Sequence, residues 1–169
     1  MTNAVPMSSS RSFQTHLILP PDTNHHQSIF GGRVLAYIDE IAAITAMKHA
    51  KSEVVTASFD SVDFISPALV GEILELEAMV TSTGRSSMEI YVRVMAHNFK
   101  TGVRKLTTES FVTMVAVDKE GNSSPVPAVF PESEREKTLF ETGNTRRKLR
   151  QAKRESTKER RAVLGNYDD

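Results

Sequence analysis

Beyond residue 51 the apolar side chains of this 169-residue chain fall at every second position, and they hold that period for about 65 residues. A strand turns successive side chains to opposite faces, so the alternation commits the middle of the chain to extended segments with one buried face each. Over residues 72–81, Leu74, Leu76, Ala78 and Val80 share a face, and over 87–98, Met88, Ile90, Val92, Val94 and Ala96 do. Over 104–118 both faces are apolar, with Leu106, Val112, Met114 and Ala116 on one and Phe111, Val115 and Val117 on the other. Gly, Pro and Lys at 67–71, 83–85 and 100–102 mark the turns between long antiparallel strands. Further strands are predicted over 54–64 and over 12–19, where Pro20 and Pro21 stop the run.

One segment keeps a different period. Val34, Leu35, Ile38, Ile41, Ala42 and Thr45 recur at three- and four-residue spacing, which predicts a helix over residues 31–51 with one buried face. The order is strand, helix, then four strands. A helix of about 20 residues cannot cover both faces of a five-stranded sheet. The economical solution is an α+β architecture, a curled antiparallel five-stranded sheet around a central helix, which is the hotdog fold. The two-faced last strand predicts that a partner subunit covers part of the sheet, because apolar patches of that size are uncommon on monomers. The domain is placed at 12–118. Residues 130–169 are charged, with few apolar residues beyond Leu139, Phe140, Leu149 and Ala152, and are read as a C-terminal extension that is helical in pieces.

Composition narrows the chemistry. With no cysteine there is no disulfide, thiolate nucleophile or Cys-based zinc site, and the five histidines include no pair at the spacing of a helical zinc protease. No metal is assigned to the adjacent His25 and His26. No apolar run reaches the ~20 residues of a membrane span, and the polar N-terminus lacks the apolar centre of a secretory signal. A cytoplasmic protein without membrane contact is expected. The net charge of zero hides a division: residues 146–161 carry nine Lys/Arg against two Asp/Glu, whereas 1–145 carry 12 against 17. That basic run is read as a solvated extension or a surface packed on other subunits. It lacks interleaved aromatics, so nucleic-acid binding is not expected.

The richest segment is Asn24-His25-His26-Gln27-Ser28-Ile29-Phe30-Gly31-Gly32, with Asp39 following on the helix. It resembles the signature of the acyl-CoA thioesterases of the hotdog superfamily, of the cytosolic acyl-CoA hydrolase type. In that family an Asn, a Phe-Gly-Gly helix entrance and an Asp on the central helix recur together. The similarity continues through VTASFDSVDFISPALVGEILELEAMVTSTGRSSMEIYV and covers roughly residues 12–118. One departure is Gln27, where the family often has glycine. The resemblance implies hydrolysis of medium- to long-chain fatty acyl-CoA to free acid and coenzyme A, with no cofactor, in a homo-oligomer that is at least a dimer and commonly a hexamer built as a trimer of dimers.

The residues support the same chemistry. A helix opening on Gly31-Gly32 offers unpaired backbone N–H groups and the positive end of its dipole, a plausible oxyanion hole. Asp39 suits a general base toward water or a nucleophile. At 1.5 Å rise per residue, however, Gly31 and Asp39 stand ~12 Å apart along one helix, too far to act on one carbonyl. One chain cannot complete the site. The resemblance implies two antiparallel helices of a dimer, with Gly31, Gly32 and Asn24 of one subunit against Asp39 of the other, Asn24 orienting the water or the thioester. It further implies that Thr83, Gly84, Arg85, Ser86 and Ser87 contact the phosphates of coenzyme A.

Plainer readings stay open for each. Asp39 reads equally as a solvated helix carboxylate beside Glu40, Asn24 as a turn residue, Gly31-Gly32 as a helix junction and residues 83–87 as a hairpin. The acyl chain would occupy a tunnel lined by residues such as Ile38, Phe59 and Phe64. A dehydratase on the same fold would need a His paired with an acid, and His49 near the helix end is poorly placed. The alternative of another class is a non-catalytic acyl-CoA sensor that binds without turnover.

Overall fold

A computed structural model describes residues 4–165; Asp168 and Asp169, within the predicted extension, lie outside the described residues. Strand β1 (Val5–Pro6) and a 3-10 turn lead into β2 (Ser12–Leu17), which ends ahead of a second 3-10 turn over Pro20–Asp22. Helix α1 (Gly31–Ala50) follows, then β3 (Glu53–Phe64), β4 (Ile73–Thr83), β5 (Ser87–His97) and β6 (Arg104–Val117). The chain closes with β7 (Val129–Phe130), α2 (Glu134–Glu141) and α3 (Gly143–Leu164).

The five long strands form one antiparallel sheet in the order β2-β4-β5-β6-β3, with α1 against its concave face. This is the hotdog arrangement that the periodicity predicts. Every alternating residue assigned to the inner face of β4 and β5 is buried, from Leu74, Leu76 and Ala78 to Met88, Ile90, Val92, Val94 and Ala96, and in β6 Val112, Met114 and Ala116 are too. Leu106, assigned to the same face, is half-buried and pairs with Met95, because Thr107 is inserted after it. They meet Val34, Ile38, Ile41, Ala42 and Ala46 of α1 in a single core. Register shifts at Thr56/Ser58 and Phe59/Ser61 in β3, at Val80/Ser82 in β4 and at Thr107 in β6, opposite Val94/Met95, supply the curl, because a bulge bends its strand and increases the local twist. The short parallel pair β1-β7 ties residues 5–6 to 129–130, a link two residues long that alternation cannot reveal.

α1 ends where Lys51 adopts a left-handed conformation and returns its N–H to Met47. His49, in the last turn, is buried and its Nε2 lies 2.8 Å from the Pro127 carbonyl. Burial is the main influence and holds its pKa below the ordinary 6.5, against the opposing pull of that carbonyl. That contact ties the end of α1 to the segment before β7.

The convex face of the sheet is closed by charge. Glu77 receives Arg11 at 3.0 Å, Arg93 at 2.7 Å and Arg135 at 3.3 Å. The Tyr91 hydroxyl donates to Glu109, and burial together with that bond pushes its pKa up to about 12. Glu89, 2% exposed, is clasped by Arg146 at 2.7 Å and by Arg150, and accepts the Thr81 hydroxyl at 2.8 Å. Arg146 also stacks 4.2 Å over the Phe111 ring, and Gly143 leaves room for Ser82, where a Cβ would come within 3.1 Å. Thus α3 is docked through its first half, and it covers the Phe111 side of β6 on which the sequence predicts a partner subunit.

Two outcomes follow from these anchors. Glu89→Ala leaves two guanidinium groups facing a closed interface and is expected to cost about 3–5 kcal/mol, read as a lower denaturation midpoint and faster tryptic cleavage within α3. For His49 the folded pKa lies below the unfolded one, so its contribution is complete above the ordinary value and is lost as pH falls toward the folded value. Between about pH 7.5 and 5.5 the melting temperature should fall more steeply in the wild type than in His49→Gln.

Candidate active site

The loop before α1 is built by its own polar groups. The Asn24 side-chain oxygen accepts the backbone N–H of His26 at 2.9 Å and of Ser28 at 3.3 Å, while its amide nitrogen lies 3.0 Å from the Ser28 hydroxyl oxygen. Backbone bonds from Gln27 to the Asn24 carbonyl and from Asn24 to the Ser28 carbonyl, both 2.9 Å, close the turn. Gln27 sits at φ 60°, in the left-handed region that costs a side-chain-bearing residue roughly 1–2 kcal/mol. The turn needs the conformation, and Gln27 adopts it under strain, which is the physical reason a glycine would suit this position.

The loop delivers the chain to α1 with Phe30 as the cap residue. The Phe30 N–H bonds the Asp22 carbonyl at 3.0 Å, and the Ile29 N–H bonds the Ala68 carbonyl at 2.8 Å. Arg33 pairs with Asp22 at 3.0 Å and holds the first turn against the 3-10 turn. Phe30 provides no side-chain cap, and its carbonyl accepts from Arg33 and Val34. Gly31 and Gly32 therefore present first-turn N–H groups at the positive end of the helix. No atom lies within 4 Å of where a Gly32 Cβ would stand, whereas at Gly31 a Cβ would approach the Phe64 ring to 3.2 Å. Phe64, 57% exposed, closes one side of a cavity of about 330 Å³ lined also by Gly31, Val34, Ser66, Thr107 and Thr108.

Asp39 lies two turns further along, facing β3. Thr56 donates its hydroxyl to Asp39 Oδ1 at 2.7 Å, which fixes one carboxylate oxygen and leaves Oδ2 for other chemistry. The neighbouring Glu40 is engaged separately by Gln14 at 2.9 Å. Asp39 is thus a held group with a defined partner. Thr56 is absent from the sequence-based set, and with reason: threonine is an ordinary strand residue, and nothing in its spacing marks it. The structure joins Asp39 to Thr56 and Asn24 to Ser28, and leaves the loop and the carboxylate separated by the length of two helical turns.

Around this carboxylate the molecule is open. β3 is an edge strand of 12 residues, with Val55 49%, Phe64 57% and the following Ile65 52% exposed. Ile44 and Met47 of α1 add 42% and 39% exposure. A long apolar edge with free backbone groups is a pairing surface that natural proteins cover.

Of the tunnel residues expected from the sequence, Ile38 is fully buried in the core, Phe59 is packed partly against it, and Phe64 stands over the helix start. At the β4-β5 connection Thr83 ends β4 and Ser87 opens β5, with the Gly84 N–H bonded to the Ser87 carbonyl at 2.8 Å. Arg85 is exposed at the tip, and its carbonyl accepts the Val126 N–H at 2.9 Å. Ser86 and Ser87 are half-buried and face α3 across a second cavity.

Comparison with known proteins identifies the family of the chain. Residues 26–103 match the thioesterase superfamily. An uncharacterized acyl-CoA thioester hydrolase of Bacillus subtilis is 42% identical over 92% of this chain and 91% of its own length. A hexameric acyl-CoA thioesterase superimposes with a TM-score of 0.88 at 62% identity, over 89% of this chain and 97% of that one. An acyl-CoA hydrolase from Staphylococcus aureus, solved with butyryl coenzyme A, coenzyme A and coenzyme A disulfide, gives 0.91 at 44% identity over 95% and 98%. Alanine variants of that hydrolase have been solved at an Asn, an Asp and a Thr spaced by 15 and then 17 residues. Asn24, Asp39 and Thr56 have the same spacing.

Proposed function

We propose a composite active site for this chain, which belongs to the thioesterase superfamily and is an acyl-CoA thioester hydrolase: Asp39 and Thr56 of one protomer act with Asn24, Gly31 and Gly32 of a second. The observation that carries the reading is Asp39 held by Thr56 beside the uncovered β3 edge, ~12 Å along α1 from the only first-turn glycines of that helix. A second copy pairing at β3 and laying its α1 antiparallel brings its helix start to this carboxylate. The same contact covers the exposed apolar side chains of β3 and α1. Assembly and catalysis are then one requirement, and a hexamer formed from three such dimers keeps each site whole.

In this site the thioester carbonyl oxygen lies against the N–H groups of Gly31 and Gly32, where negative charge develops as the carbonyl is attacked. Asp39 acts through Oδ2 as general base toward a water molecule that Asn24 of the other protomer orients. Water adds to the carbonyl carbon, the C–S bond breaks, and the proton held by Asp39 passes to the departing coenzyme A thiolate. Thr56 is a positioning residue: it aims the carboxylate. The acyl group runs into the apolar space beside Phe64, which suits medium- to long-chain fatty acyl groups, and the reaction takes place in the cytoplasm. Among the described residues no helix is long and apolar enough to cross a membrane.

Two experiments test this. Thr56→Val removes a hydrogen bond to a charged group and is expected to lower kcat about 10- to 100-fold with KM nearly unchanged, while Thr56→Ser retains activity; equal losses in both variants would point to packing instead. Asp39→Ala and Asn24→Ala should each be inactive as pure oligomers. Mixed by co-refolding, half of the random dimers contain one intact site of two, so thiol release should return to about a quarter of the wild-type rate. No recovery in demonstrably mixed oligomers would rule out the shared site.

A further inference from the structure

The basic run of the C-terminal extension has two populations of arginine. Arg146 and Arg150 point at the sheet and are consumed by Glu89, Arg150 also lying 3.6 Å from Asp60. Arg147 and Arg154 form no ion pair with a carboxylate among the described residues and are exposed. Residues 147, 151 and 154 fall on one face of a helix, so docking through 146 and 150 turns Arg147, Gln151 and Arg154 together toward the end of the sheet. There they meet Ser86 and Ser87 across a cavity of about 280 Å³ that is lined by no acidic residue.

The opposite wall is fitted to this helix. A Cβ at Gly84 would lie 2.6 Å from the Ser87 hydroxyl and 3.8 Å from Nη2 of Arg147, so the glycine gives both groups their space. Two guanidinium forks, two hydroxyls and an amide facing one hollow without a carboxylate form a receptor for a phosphate-bearing ligand, since planar guanidinium groups bind phosphate oxygens in pairs. In the strand register Met88 and Thr56 pair with the same residue, Met114, so Ser87 stands two strands across and one residue along from the threonine that holds Asp39, with the hollow on the opposite face of the sheet.

We propose that α3 supplies the cationic half of the nucleotide subsite: Arg147 and Arg154, with the hydroxyls of Ser86 and Ser87, bind phosphate groups of coenzyme A. The proposal rests on the acyl-CoA hydrolase reading and assigns the extension a part in substrate recognition. Arg146 and Arg150 anchor the helix and are spent in doing so. Arg85, exposed at the turn tip, is outside the cavity lining.

The test compares acyl-CoA with the matching acyl-pantetheine, which carries the same thioester and no phosphate, on the full-length oligomer. In the wild type kcat/KM should favour acyl-CoA, and in Arg147→Gln/Arg154→Gln the ratio of the two values should fall at least tenfold, chiefly through KM for acyl-CoA. These substitutions keep Arg146, Arg150 and helix length, and Arg154→Lys should restore part of the preference. An unchanged ratio in the double variant, or no wild-type preference for acyl-CoA, would overturn the proposal while leaving the hydrolase reading in place. Failure of the wild type to cleave either substrate would instead overturn the hydrolase reading itself.

Discussion

The structure depends on one shortage: a single 20-residue helix has to bury a five-stranded sheet. α1 covers the concave face of the central strands, and the inner residues of β4, β5 and β6 are almost all at or below 1% exposure. It has nothing left for the convex face or for the two sheet edges. Two of the surfaces it leaves bear on the proposed chemistry. In the proposed site the edge at β3 is left to a second copy, and the convex face is handed to the C-terminal helices.

The convex face is closed by ions because its cover is basic. Helices α2 and α3 carry few apolar residues, so their attachment comes from arginines driven onto Glu77 and Glu89. Removing such charges from water costs several kcal/mol each before their attraction offsets it. A buried carboxylate shared by two guanidinium groups is therefore weak as a source of net stability and strong as a fixer of geometry. Glu89 admits α3 in one register, with Arg146 and Arg150 inward. That register decides where Arg147 and Arg154 lie.

Period alone reveals a great deal of this fold. Leu74 to Ala96 alternate so regularly that the buried faces of β4 and β5 can be assigned residue by residue, and the switch to a spacing of three and four marks α1. The β1-β7 pair escapes because two-residue strands have no period. Gly31, Gly32, Asn24 and Asp39 stand out as a group by resemblance, and the structure adds what spacing cannot: the Asn24 side-chain oxygen shapes its own loop, and Asp39 has a partner in Thr56. That partnership joins residues 17 positions apart across helix and strand, so only tertiary structure reveals it. The basic run at 146–161 reads as a solvated surface because net charge counts arginines without distinguishing those spent on Glu89 from those left facing Ser86 and Ser87.

The same shortage underlies the proposal that a thioester hydrolase on this frame works as an assembly. A helix offers its positive end only at its first turn, while a carboxylate two turns along is too distant to share one carbonyl with it. Moving the carboxylate into the first turn would place its negative charge against the developing oxyanion and cancel the helix contribution. Keeping them apart on one helix and joining them between two antiparallel helices preserves both effects. In the proposed site, the edge strand left bare by a sheet wider than its helix is the surface on which that joining takes place.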